Sequence, residues 1–77
     1  MEIKILGPGC PKCEQLAKNT QEAVKALGLE AEITKVKDMK TIASYGILMT
    51  PALVVDGEVK AVGKLLKPDE IQAFLKT

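Results

Sequence analysis

The apolar positions of this chain change period along its length, and each change marks an element. In "EIKIL" (Glu2 to Leu6) apolar and charged residues alternate before a closing leucine, the two-residue period of a strand with a covered face. Gly7-Pro8-Gly9 breaks that run. From Pro11 the period lengthens: Leu16, Ala17, Thr20, Ala23, Val24 and Leu27 recur at helical spacing with Lys, Glu and Gln between them, and Gly28 follows as a helix stop. "EAEITKV" (Glu30 to Val36), with its β-branched residues, reads as a second strand.

Asp38 is placed to cap a short second helix running toward Ser44 and ended by Tyr45-Gly46. Pro51 has no N–H to give to a ladder, so the next strand must start after it. Asp56-Gly57, between "ALVV" and "EVKAV", then predicts a two-residue hairpin. In "KPDEIQAFLK" Pro68 near the start, acids in the first turn, Lys76 at the end and Ile71, Phe74 and Leu75 on one face predict a last helix.

The order is therefore β-α-β-α-β-β-α. Its first βαβ unit implies a right-handed crossover between parallel strands, and the hairpin adds two antiparallel ones. The expected fold class is α/β, a four-stranded mixed sheet flanked by helices. With no internal repeat and no dividing linker, residues 1–77 read as one domain.

Composition narrows what such a domain does. A chain of 77 residues buries only about 60% of the surface its unfolded form exposes, so its stability margin is thin. At 47% hydrophobic and 27% charged it is a foldable globule and not a disordered chain. Eleven basic against ten acidic residues, with a single Tyr and a single Phe, offer neither a phosphate-binding surface nor a stacking platform for bases. No apolar run approaches the roughly 20 residues of a membrane span, and "MEIKIL" lacks the features of a secretory signal. The expectation is a cytoplasmic monomer without nucleic-acid or membrane partners.

The chemistry is concentrated in "GPGCPKC" (Gly7 to Cys13), which holds both cysteines of the chain. A cytosolic pair is kept mostly reduced, which favours catalytic, sensing or metal-binding use over a permanent bridge. If the first helix starts at Pro11, the fixed φ and missing N–H of that residue suit position N1, and Cys10 becomes the N-cap. Its sulfur then faces free amides and the positive end of the helix dipole, with Lys12 as a nearby charge, and a thiolate is favoured. Cys10 is the expected nucleophile. Cys13, one turn further in and less exposed, is the expected resolving thiol, held beside Cys10 at high effective concentration.

Two other uses of the pair stay open at this point. A structural staple closing a loop of about four residues contributes on the order of 2 kcal/mol and is exposed to cytosolic reduction. A zinc site wants four ligands, and this chain has two cysteines and no histidine, so a second chain would have to complete it. The missing histidine also excludes a Cys-His hydrolase.

Downstream, "YGILMTPALVVDGEVKAVG" (Tyr45 to Gly63) resembles the stretch of thioredoxins that runs through the cis-proline and the last hairpin. With CPKC at the head of the first helix, the whole chain is similar to the small glutaredoxin-like thioredoxins of archaea and bacteria. The resemblance implies a minimal thioredoxin fold in which Cys10 attacks and Cys13 resolves. It places Pro51 as the cis-proline beside the disulfide and Thr50 before it, where the backbone pairs with an extended substrate chain. Pro11 after the first cysteine is glutaredoxin-like, and Lys12 stands where it orients an acidic partner or tunes Cys10.

The resemblance has departures. Gly9 stands where thioredoxins carry Trp, and the first strand offers Glu2 and Lys4 but no Asp, leaving Lys4 or a water to take the proton from Cys13. Ala61-Val62-Gly63-Lys64 occupies the region where glutaredoxins hold glutathione with a Gly-Gly followed by an acid. Tyr45 is read as a packing residue. The expected function is reduction of protein disulfides by dithiol exchange, with no cofactor, and with disulfide-bearing proteins and a thioredoxin-reductase-type electron donor as partners. The alternatives are a glutathione-dependent glutaredoxin and a non-catalytic thiol module that senses redox state or binds a soft metal.

Overall fold

A computed structural model describes residues 1–76. Thr77, which the single-domain expectation takes in, lies outside the described residues. The elements follow the expected order: β1 (Glu2–Leu6), α1 (Pro11–Leu27), β2 (Glu32–Val36), α2 (Met39–Ser44), β3 (Ala52–Val55), β4 (Glu58–Val62) and α3 (Pro68–Leu75). The four strands form one sheet in the order β2-β1-β3-β4. β1 runs parallel to β2 and antiparallel to β3, and β3 is antiparallel to β4.

Alternation along the two central strands sorts the core into two layers. Ile3, Ile5, Leu53 and Val55 pack with Leu16, Ala17 and Ala23 of α1 and with Ile71 and Leu75 of α3. Leu6, Ala52 and Val54 point the other way and pack with Ile42 of α2 and with Ile47. All four residues of β3 are buried, as expected of a strand covered on both faces. This three-layer arrangement leaves β2 and β4 at the edges. On β4 the register slips between Leu53↔Ala61 and Val54↔Val59, so Lys60 is an extra residue that bulges the edge.

Strand β2 is shorter than the sequence pattern predicts, starting at Glu32 instead of Glu30. The reason lies at both of its borders. Leu29 still belongs to the C-terminal turn of α1, its N–H donating to the Val24 carbonyl at 3.1 Å. Pairing then begins only at Glu2↔Glu32, where β1 itself begins. At the hairpin, Asp56 and Gly57 both adopt positive φ, as a two-residue turn between twisted strands requires. The carboxylate of Asp56 accepts from the N–H of Glu2 at 2.8 Å, tying the turn to the start of β1.

Candidate active site

The site is assembled where β1 gives way to α1. β1 ends at Leu6, and the N–H of Gly7 extends its pairing by donating to the Val36 carbonyl at 2.9 Å. The chain then turns through Pro8 and Gly9 into Cys10, whose extended backbone (φ −68°, ψ 162°) makes it the N-cap of α1, with Pro11 in the first turn. The sulfur of Cys10 accepts a hydrogen bond from the backbone N–H of Cys13 at 3.3 Å. Cys10 is partly exposed, whereas Cys13 is 4% exposed.

These surroundings push the two thiols in opposite directions. Cys10 is lowered below the usual thiol range, first by the Cys13 thiol donating to it and then by the Cys13 amide, with the amides of Lys12 and Cys10 adding to the effect. Lys12 thus acts on the sulfur through its backbone N–H. Cys13 is raised, first because burial disfavours its charged form and then because its proton is held by the Cys10 sulfur. The arrangement favours a thiolate at Cys10 while keeping a proton on Cys13.

The Thr50–Pro51 segment comes to the same place. Its peptide bond is cis, Pro51 is fully buried, and the Pro51 carbonyl accepts from the N–H of Gly63 at 2.8 Å. Thr50 approaches the cysteines across Gly7: a Cβ placed on Gly7 would lie 3.8 Å from the Cβ of Thr50 and would overlap the Cys13 sulfur. Just upstream in the chain, Leu48 is 98% exposed and Met49 62% exposed. Pro11 and Lys12 are exposed.

Three outcomes differ from sequence reasoning or go beyond it. Lys4 is engaged elsewhere: its ammonium bonds the Tyr45 hydroxyl at 3.2 Å and the Glu2 carboxylate at 3.3 Å, and the Tyr45 hydroxyl is the first cause of its raised pKa. A lysine held protonated in this way is a poor proton acceptor for Cys13. Tyr45 packs beside Ile42 and Ile47, as read, but also holds that ammonium. Finally, Gly9 has φ +95°, a conformation that L side chains rarely adopt, which accounts for the missing aromatic residue. The Cε and Nζ atoms of Lys37 lie 3.7 Å from where a Cβ on Gly9 would stand. Lys37 carries no local signal, and Gly7 reads only as part of the strand break; both matter through what the fold brings against them.

Among the described residues no group of three or more His, Cys, Asp and Glu side chains is placed to hold a metal ion. No helix among them is long and apolar enough to cross a membrane. A cleft of about 520 Å³ between β4 and α3, lined by Lys60, Val62, Lys64 and Phe74 among others, shares no residue with the dithiol site.

A βαβ unit with a dithiol at the start of its helix, faced by a cis X-Pro loop, is the arrangement of thioredoxin-like disulfide oxidoreductases, and this chain is one. It matches a family model described as a thioredoxin domain over residues 1–76, and it belongs to that family. It is 45% identical over 75 residues to a thioredoxin of Methanothermobacter thermautotrophicus, an alignment covering 97% of each chain. A thioredoxin of Methanocaldococcus jannaschii is 41% identical over 75 residues, covering 97% of this chain and 86% of the relative. A probable thioredoxin of Methanothermobacter marburgensis is 30% identical over 69 residues, covering 82% and 81%.

Proposed function

We propose that the chain reduces disulfide bonds in proteins, with Cys10 as the attacking thiolate and Cys13 as the resolving thiol. The observation that carries this reading is the opposed environment of the two sulfurs. One is partly exposed and bonded by an amide at a helix start; the other is buried with its proton retained. The Cys10 thiolate attacks one sulfur of the substrate disulfide, and the other sulfur leaves as a thiolate. Cys13 then attacks Cys10, and the second substrate thiol is released.

Thr50 and Pro51 border the path of the substrate chain, the exposed Leu48 and Met49 beside them giving it apolar surface to lie on. Pro11 sets the helix start, and Lys12 supplies an amide to the Cys10 sulfur and an exposed charge to an acidic partner. The protein works as a cytoplasmic monomer and single domain, with disulfide-bearing proteins as substrates and a thioredoxin-reductase-type protein as electron donor. The family membership and the thioredoxin relatives support this choice of partners.

The test is a pair of variants assayed for reduction of a protein disulfide. Cys10→Ser should abolish turnover. Cys13→Ser should stall as a mixed disulfide through Cys10, from which the bound partner is identified. Turnover surviving in Cys10→Ser would remove the nucleophile assignment, and capture of glutathione alone would replace the protein-reducing role with a glutaredoxin role.

A further inference from the structure

We propose that Gly7 is a positioning residue for the resolving step, its missing side chain forming the seat from which the sulfur of Cys13 attacks Cys10. The inference rests on the assignment of Cys13 as resolving thiol.

Gly7 is buried and does not share the positive φ of Gly9 and the turn glycines, so its backbone does not demand glycine. Its surroundings do. A Cβ built on Gly7 would sit closer to the Cys13 sulfur than the 3.0 Å that real Cβ atoms respect, and 3.2 Å from the Cβ of Cys13. Neither partner is free to retreat. Gly7 is held to β2 by its N–H bond to the Val36 carbonyl at 2.9 Å, and Thr50 stands on the same space. Cys13 is anchored in the first turn of α1 and is packed to 4% exposure. A side chain at position 7 is therefore relieved by rotating the sulfur, the one mobile atom in the contact, out of the seat. The reaction depends on where this atom points.

In resolution the Cys13 thiol gives up its proton, matching the one the leaving substrate sulfur takes up, and its sulfur forms a bond to the Cys10 sulfur. The bond from Cys10 to the substrate sulfur breaks, and its electron pair leaves on the substrate thiolate, which takes up a proton. The protein dithiol is oxidised to a disulfide and the substrate disulfide is reduced to two thiols. Attack by Cys10 uses the seat only through the Cys13 thiol that donates to it, whereas attack by Cys13 depends on the seat directly.

The experiment follows both steps with Gly7→Ala, using a symmetric peptide disulfide as probe and rapid acid quenching to count mixed disulfide. Cys10 attack should slow only as far as losing the Cys13 donor reduces its thiolate fraction, and by much less than resolution, which should slow at least about tenfold, a misplacement near 1 Å costing up to ~100-fold, so that mixed disulfide accumulates. Resolution at the parent rate would overturn the proposal. A thermal-melting cycle tests the seat apart from the chemistry. Gly7→Ala should lower the melting temperature more when Cys13 is present than on a Cys13→Ala background, where the sulfur is gone and only the 3.2 Å Cβ contact remains. Equal loss on both backgrounds would overturn the seat. If the parent protein forms no mixed disulfide at all, the functional reading fails instead, and the melting cycle still decides whether Gly7 seats the sulfur.

Discussion

The backbone N–H of Cys13 donates to the sulfur of Cys10 across 3.3 Å. In the proposed exchange one residue thus holds the attacking thiolate and carries the resolving thiol. The helix start makes this possible: the N–H of a third helical residue has no partner within its own helix and turns back to the cap. The same first turn buries the Cys13 sulfur, so a single local geometry separates the two thiols electrostatically.

Alkylation should show the separation directly. With Cys10 lowered and Cys13 raised, iodoacetamide should modify Cys10 with a midpoint below the ordinary thiol value of about 8.5 and Cys13 with a midpoint above it. Stability should respond with opposite signs. In Cys13→Ser, whose hydroxyl keeps a donor beside Cys10, the lowered thiol stabilises the fold above the unfolded pKa, and this is lost as pH falls through the folded one. In Cys10→Ser, the raised Cys13 favours the fold below the unfolded pKa, and this is lost as pH rises through the folded one. Urea midpoints between pH 6 and 10, as a rough window around that thiol value, check both slopes. Parallel slopes would contradict the opposed shifts.

Gly9→Ala should destabilise the protein by about 1–3 kcal/mol through backbone strain alone. At φ +95° the conformation disfavours any side chain, yet a Cβ there meets only ordinary van der Waals contact, with Lys37 at 3.7 Å. Urea unfolding measures the loss. A variant as stable as the parent would mean that the loop relaxes and that Gly9 is not what excludes an aromatic residue.

Lys4→Met should leave the resolving step within about twofold of the parent, whereas loss of a general base typically costs ~10²–10⁴-fold. The ammonium is held by Tyr45 and Glu2 and stays protonated. A pre-steady-state rate that collapses in this variant would make Lys4 the proton acceptor after all.

Two buried positions should behave differently on substitution. Leu53, fully buried on the central strand, touches the layer built by α1 and α3, and Leu53→Ala should cost about 2–5 kcal/mol in urea unfolding. Thr20 is equally buried, but its hydroxyl only adds a bond at 2.8 Å to the Leu16 carbonyl, which the helix ladder already uses. Thr20→Val keeps the shape and should change stability by less than about 1 kcal/mol. A larger loss would show that the hydroxyl carries more than a secondary bond.

Most of the fold is legible in the sequence because its signals are local. The limits of α1 follow from Pro11 and Gly28, those of α2 from Asp38, and the β3–β4 hairpin from Asp56-Gly57. The miss at Glu30 and Ala31 is of another kind: a strand exists only where a neighbour pairs with it, and β1 supplies partners from Glu2 onward.

What the sequence by itself determined is the order of elements, the placement of Cys10 as an N-cap and the unequal exposure of the two cysteines. Each depends on the periodicity and cap preferences of a few adjacent residues. Only the tertiary structure decided that Gly7 lies against the Cys13 sulfur, that Lys37 reaches over Gly9, and that Lys4 is occupied by Tyr45. The last two contacts join residues far apart in the chain and the first spans the turn from β1 into α1; all are set by strand register and by how α1 lies on the sheet, which no single stretch of sequence encodes.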